Sequence, residues 1–141
     1  MTLVTIKQAA EATGVSPKMI RHYESIGLIS APVRTDNRYR HYSRADINNL
    51  CFIRRARDLG FSFEDIRQLL NLLRDKRRSS ADVKAIAQRH IAELEAKAAQ
   101  LAAMSAALKR LTTACPGSAS PDCPILEALD PSEKAKMWCN S

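Results

Sequence analysis

From Ser79-Ser80-Ala81-Asp82 onward the chain reads as one helix, unbroken to about Thr112. Along it Ala87, Ile91, Leu94, Ala98, Leu101, Ser105 and Leu108 alternate steps of four and three residues, the spacing of a coiled-coil seam. A lone helix of this length has nothing of its own to pack on. Pairing with a second copy, antiparallel or parallel, is the simplest solution; packing back on its own domain is the alternative. A two-fold pair would present everything that precedes the helix twice, in a symmetric arrangement suited to a palindromic site.

What precedes the helix is basic. Residues 1–78 carry 15 Lys and Arg against 8 Asp and Glu, whereas residues 79–141 carry 7 of each, so the whole net charge of +7 lies in the first part. A basic domain joined to a neutral one implies a polyanionic partner for the former and a different task for the latter. No apolar run approaches the roughly 20 residues needed to span a bilayer, and the start of the chain lacks the basic-then-apolar order of a signal peptide. The expectation is a cytoplasmic protein with no membrane partner. There the four cysteines, Cys51, Cys115, Cys123 and Cys139, are reduced and suited to metal or redox chemistry.

The basic part is punctuated by helix signals. Thr5-Ile6-Lys7-Gln8 is a capping box for a helix that ends at Gly14, and Ser16-Pro17 starts a second helix through about Ser25. Two short helices around a tight turn, the second carrying Lys18, Arg21 and His22, have the layout of a helix-turn-helix. Leu28 to Val33 and Tyr39 to Tyr42 then flank a polar turn and read as a small hairpin. With Arg34, Arg38, Arg40, Tyr39 and Tyr42 it is a wing suited to phosphate contacts, one of its two tyrosines belonging to the core. Ser43 to Asp46 caps a third helix with Ile47, Leu50, Ile53, Ala56 and Leu59 inward and Arg54, Arg55 and Arg57 on its other side. Ser62 caps a fourth, with Ile66, Leu69, Leu70 and Leu73 inward.

Beyond the long helix lies Cys115-Pro116-Gly117-Ser118-Ala119-Ser120-Pro121-Asp122-Cys123. Pro and Gly turn the backbone so that both sulfurs can share one small pocket. The loop has no His or Glu, so tetrahedral Zn(II) finds two ligands where it wants four. A soft monovalent ion that accepts two thiolates, Cu(I), Ag(I) or Au(I), fits the count. Pro124 at the first position of a short helix would turn backbone N–H groups toward the Cys123 sulfur and offset the excess negative charge. A disulfide, or two unrelated buried thiols, would give the same spacing. His41 and His90 read as surface residues, and Cys51 as a small hydrophobe on the third helix.

Taken together, Ile20-Arg21-His22-Tyr23-Glu24-Ser25-Ile26-Gly27-Leu28-Ile29, Pro32-x-Arg34, Tyr39-Arg40-x-Tyr42, Asp46-Ile47 and Leu59-Gly60-Phe61-Ser62 resemble the DNA-binding domain of MerR-family regulators. With the Cys115 to Cys123 loop added, the chain resembles the copper-efflux type of that family up to about Leu129. The resemblance implies a mainly α fold: a winged helix-turn-helix with a small β wing (1–75), a long dimerisation helix in an antiparallel coiled coil (79–113), a metal loop with a short helix (114–130) and a flexible tail (131–141). It implies a homodimeric activator, not an enzyme, on double-stranded promoter DNA. There it would realign two RNA polymerase elements that lie too far apart when metal binds.

Carried over residue by residue, the reading helix falls on Pro17 to Tyr23, with Lys18, Arg21 and Tyr23 as DNA contacts. The wing contacts fall on Arg34, Tyr39 and Arg40, supported by Tyr42; Arg38 and Arg57 are further candidates for phosphate. The metal ligands fall on Cys115 and Cys123. Ser80 stands where divalent-ion sensors of the family carry a Cys, which agrees with the two-ligand count. Arg38 replaces a usual wing-tip Gly, and His22 a usual aromatic residue. Cys139, in the tail, either hands metal to the loop or has no role, and a loose terminus favours the latter. Two other classes use paired thiols, a redox-sensing regulator and a Cu(I) chaperone or store, and the chaperone has no use for a basic winged domain.

Overall fold

A computed structural model describes residues 3–30, 33–34, 40–119 and 121–132, with the side chains of residues 33 and 34 excepted. The elements are β1 (Val4–Thr5), α1 (Ile6–Thr13), α2 (Pro17–Ser25), β2 (Val33–Arg34), β3 (Arg40–Tyr42), α3 (Arg44–Asp58), α4 (Phe63–Arg74), α5 (Ser80–Ala114) and α6 (Pro124–Leu129). They fall into two compact units, Met1–Gln88 and Arg89–Ser141.

In the first unit each helix starts where a side chain replaces a missing intrahelical partner. The Thr5 hydroxyl accepts from Gln8 N at 3.2 Å, while the Gln8 side-chain oxygen Oε1 accepts from Thr5 N at 2.9 Å. Ser43 and Asp46 repeat this reciprocal pair at α3, and Ser16 and Ser62 cap α2 and α4 through Met19 N and Asp65 N. The turn between α1 and α2 passes through Gly14 at φ 74°. A side chain in this left-handed region is strained, and a Cβ there would meet the Arg54 guanidinium, which donates to Thr13 O at 3.2 Å.

The core gathers Ala9 from α1, Ile20 and Tyr23 from α2, Tyr42 from β3, Leu50, Ile53 and Ala56 from α3, and Ile66 and Leu70 from α4. Leu28 and Ile29, expected in a strand, are buried in the turn after α2, and among the described residues the strand is Val33–Arg34. The wing also has a third strand that the apolar pattern did not signal. The sheet order is β1-β3-β2, both pairs antiparallel, with Val4 opposite Tyr42 and Val33 opposite His41. A two-residue strand is too short to show an alternation, so β1 is visible only through its partner.

Two apolar residues expected inside lie outside. Leu59 is the residue at which α3 ends, so it leaves the helical period that buries Leu50, Ile53 and Ala56; Leu73 stands one residue from the end of α4. His90 departs in the other direction: it is buried, four residues and hence one turn along α5 from buried Ile86.

In the second unit α5 continues to Ala114, and Ile91, Leu94, Leu101, Met104 and Leu108 are all exposed. Among the described residues the seam predicted from the sequence therefore has nothing covering it. The loop turns at Gly117, φ 64°, and α6 begins at Pro124 with Cys123 at its N-cap.

Candidate DNA-reading surface and thiol site

One side of α2 is spent on the core and the other is offered to solvent. Ile20 and Tyr23, three residues apart, are buried, while Lys18 and Arg21 are exposed and Pro17 is partly buried. Tyr23, expected as a DNA contact, has only 5% of its surface exposed, and its ring meets Phe63 edge-on at 5.8 Å. That packing fixes α2 on α4. Burial raises the Tyr23 phenol above its usual range, partly offset by the Arg57 charge. Tyr42 is fully buried, as one of the two wing tyrosines was expected to be.

The remaining wing candidates divide. Arg40 is partly exposed on β3, its Nε 3.4 Å from Glu24 Oε2 on α2. The backbone of Arg34 pairs with Arg40, and its side chain, together with Arg38 and Tyr39, lies outside the described residues. Arg57 is exposed on α3; it donates to Phe61 O at 2.8 Å, and its guanidinium lies 4.6 Å from the centre of the Phe63 ring. His22 is exposed, its ring 5.6 Å from that of Phe63.

Three further residues shape this surface that sequence reasoning gave no role. Arg67 on α4 donates to Ile26 O at 2.7 Å and Gly27 O at 3.3 Å, holding the end of α2. Arg54 does the same for α1. Glu24 receives the Tyr42 hydroxyl on Oε1 as well as Arg40 on Oε2. Burial first, then that hydrogen bond, raises the Tyr42 phenol well above its ordinary range. The one available signal was an acid on an otherwise basic helix, three residues from Arg21.

In the second unit the two sulfurs come together across the turn. Cys115 Sγ and Cys123 Sγ are 3.7 Å apart, both partly buried and both free thiols. A disulfide would require about 2.05 Å. Among the described residues no third His, Cys, Asp or Glu ligand atom joins the pair. The Leu126 N–H at the start of α6, with smaller help from the Cys115 thiol and Ile125 N–H, lowers the Cys123 thiol below the usual cysteine range, against partial burial and the Glu127 carboxylate. Two adjacent sulfurs, one already biased toward thiolate, form a donor set for a soft ion of low coordination number. Ser80 opens α5 and is exposed; Cys139 lies outside the described residues.

Residues 4–73 match the MerR HTH family of regulatory proteins, and residues 47–111 match the MerR DNA-binding family. The chain is 53% identical over 126 residues to heavy metal-dependent transcription regulator 2 of Rhizobium meliloti, covering 89% of this chain and 86% of that one. The chain belongs to the MerR family of transcriptional regulators. It is also 42% identical over 126 residues to the HTH-type transcriptional regulator CueR of Escherichia coli O6:H1, covering 89% of this chain and 93% of the relative. The crystal structure of the transcription regulator PbrR691 from Ralstonia metallidurans CH34, in complex with lead(II), resembles this MerR regulator with a TM-score of 0.78 at 31% identity. It covers 90% of this chain and 99% of that one. The mainly helical fold and the winged helix-turn-helix expected from the sequence are those of the family, whose members bind DNA and are not enzymes. Among the described residues no helix is long and apolar enough to cross a membrane.

Proposed function

We propose that this MerR regulator is a cytoplasmic homodimer that binds promoter DNA and activates copper efflux or detoxification genes when Cu(I), or its congeners Ag(I) and Au(I), is held by Cys115 and Cys123. The observation that carries the reading is the thiol pair: two free sulfurs 3.7 Å apart, with no third ligand among the described residues. That donor set suits a monovalent soft ion better than Zn(II). Ser80, where a third thiolate would otherwise stand, is assigned to selectivity against divalent ions.

On DNA, Lys18 and Arg21 are the groove contacts, with Pro17 starting the helix at the groove and Tyr23 supporting it from beneath. Arg34, Arg38, Tyr39 and Arg40 reach phosphates from the wing, braced by Tyr42, and Arg57 adds a cation from α3. The exposed apolar seam of α5 is covered by the same seam of a second copy, antiparallel, which places two reading helices on a palindromic site. RNA polymerase occupies the same promoter, and a change in dimer shape realigns its two elements. The relatives named for heavy-metal dependence and lead(II) binding support metal as the signal.

The test is a footprint on a candidate efflux promoter, with and without Cu(I), using protein purified without air and assayed for metal and free thiols. The expected result is occupancy in both states, altered cleavage at the centre of the site with Cu(I), and loss of that change in Cys115→Ser or Cys123→Ser. Response to oxidant alone, through a Cys115 to Cys123 disulfide, would replace this reading with a redox sensor. Loss of operator binding in the cysteine variants would overturn the separation of sensing from DNA reading.

A further inference from the structure

A carboxylate on a surface that binds a polyanion lowers its affinity, yet Glu24 sits in the last turns of the reading helix, three residues from Arg21. Its side chain is one-tenth exposed, and each of its oxygens serves a different residue of β3. Oε1 accepts from the Tyr42 hydroxyl, and Oε2 lies 3.4 Å from Arg40 Nε. Tyr42 is fully buried beneath the contact, and the Arg21 charge also reaches its hydroxyl. One acid thus gathers a cation of the wing and a core tyrosine, beside a cation of the helix.

Resting on the reading of α2 and the wing as DNA contacts, we propose that Glu24 is a positioning residue that fixes Arg40 relative to the reading helix and thereby sets the discrimination between operator and non-specific DNA. An arginine side chain has many rotamers, and holding it through Nε removes most of that freedom before DNA arrives. The planar guanidinium carries further N–H donors for a phosphate. Non-specific binding depends on the number of cations and tolerates a mobile one. Specific binding requires the wing phosphate contact and the groove contact to be met together, and so depends on their register. Glu24 weakens the first kind of binding and strengthens the second.

The probes are the duplex that wild-type full-length protein enriches from a randomised pool, and a scrambled duplex of the same composition, each titrated over a range of salt. Glu24→Gln is expected to raise affinity for the scrambled duplex about threefold, with a salt slope steeper by about 0.9 from one newly freed cation. Affinity for the enriched duplex is expected to fall roughly fivefold, since a contact that must be ordered on binding is weaker than one already ordered. In an Arg40→Ala background the same substitution should leave the ratio of the two affinities within about twofold, because Glu24 acts through Arg40. Equal movement of both affinities, or an undiminished effect without Arg40, would overturn the proposal. If Glu24→Gln fails to fold, Tyr42→Phe decides: a reduced ratio supports the clamp and an unchanged ratio sinks it. A wild-type protein that enriches no duplex would overturn the DNA-contact reading itself, an outcome distinct from wild-type discrimination that the variants leave intact.

Discussion

The two units of this MerR regulator use their apolar residues in opposite ways. In Met1–Gln88 the periodic apolar positions of four helices meet one another, and Ile20, Tyr42, Leu50, Ile53 and Ile66 are sealed from solvent. In Arg89–Ser141 an equally regular apolar pattern faces outward, with Leu101 64% exposed. Among the described residues the first unit buries its apolar positions within one chain, whereas the second leaves its hydrophobic stripe exposed. The division matches that of charge: the first unit carries the basic excess, and the second is neutral and carries the thiol pair. Under the proposed function, DNA is read by the unit with the buried core, and metal is sensed by the unit whose apolar stripe a second copy would cover.

The largest effect that could break this comparison comes from matched truncations. Leu50→Ala opens a cavity in the winged unit and should cost about 2–5 kcal/mol of stability, independent of protein concentration. Leu101→Ala removes an exposed side chain of the single chain and should act only through the dimer, lowering Tm most at low concentration and weakening self-association in sedimentation. A concentration-independent loss for Leu101→Ala would show that its side chain is buried within one chain. The next effect concerns recognition. Arg21→Ala should weaken specific duplex binding by about 1–3 kcal/mol, measured at fixed salt, while leaving thermal unfolding unchanged. Unchanged affinity would remove α2 from the groove.

How much of each unit could be read in advance follows from how each is built. The ends of α1 to α4 were legible because their caps are local: Thr5 with Gln8, Ser16 with Pro17, Ser43 with Asp46 and Ser62 with Asp65 each act within one turn. The seam of α5 and the start of α6 at Pro124 were legible for the same reason. Contacts between distant segments left no such trace. Arg54 on Thr13, Arg67 on Ile26 and Tyr42 on Glu24 join residues 41, 41 and 18 positions apart, and none follows from a periodicity. The proximity of the two thiols was legible because spacing and turn residues suffice to bring two sulfurs together. The burial of Tyr23 and the exposure of Leu59 left no trace in the pattern because burial at a helix edge depends on what packs there. The Phe63 ring covers Tyr23, and the end of α3 turns Leu59 out.

A smaller effect tests whether the turn of the helix-turn-helix is itself part of the unit with the buried core. Gly14→Ala keeps the chain otherwise unchanged but places a side chain at φ 74°, at a cost of about 1–2 kcal/mol. The added Cβ also displaces Arg54, whose guanidinium is the flexible end of a long side chain and can move aside, leaving the Thr13 carbonyl without its donor. Denaturant unfolding should show a lower midpoint with the same slope. No change in midpoint would mean that the turn adopts another backbone conformation without cost.

The smallest effect concerns how strongly the two units are coupled. If the winged unit is complete without the sensing unit, Cu(I) at Cys115 and Cys123 should alter the shape of bound DNA far more than the occupancy of the site. Both states of the dimer would hold the same groove and phosphate contacts, and they would differ in the angle between half-sites. Bending a site of this kind costs on the order of 1–6 kcal/mol, drawn from contacts at both half-sites. Only the difference between the deformation cost and the additional contacts it permits appears as a change in affinity. Operator affinities with and without Cu(I) should therefore agree within about tenfold, a coupling of about 1.4 kcal/mol or less. Fluorescence anisotropy on a labelled duplex measures that ratio, and energy transfer between dyes at its two ends measures the change in shape. A thousandfold loss of affinity on adding Cu(I) would mean that the sensing unit controls whether the winged unit binds at all, and the regulator would act by release.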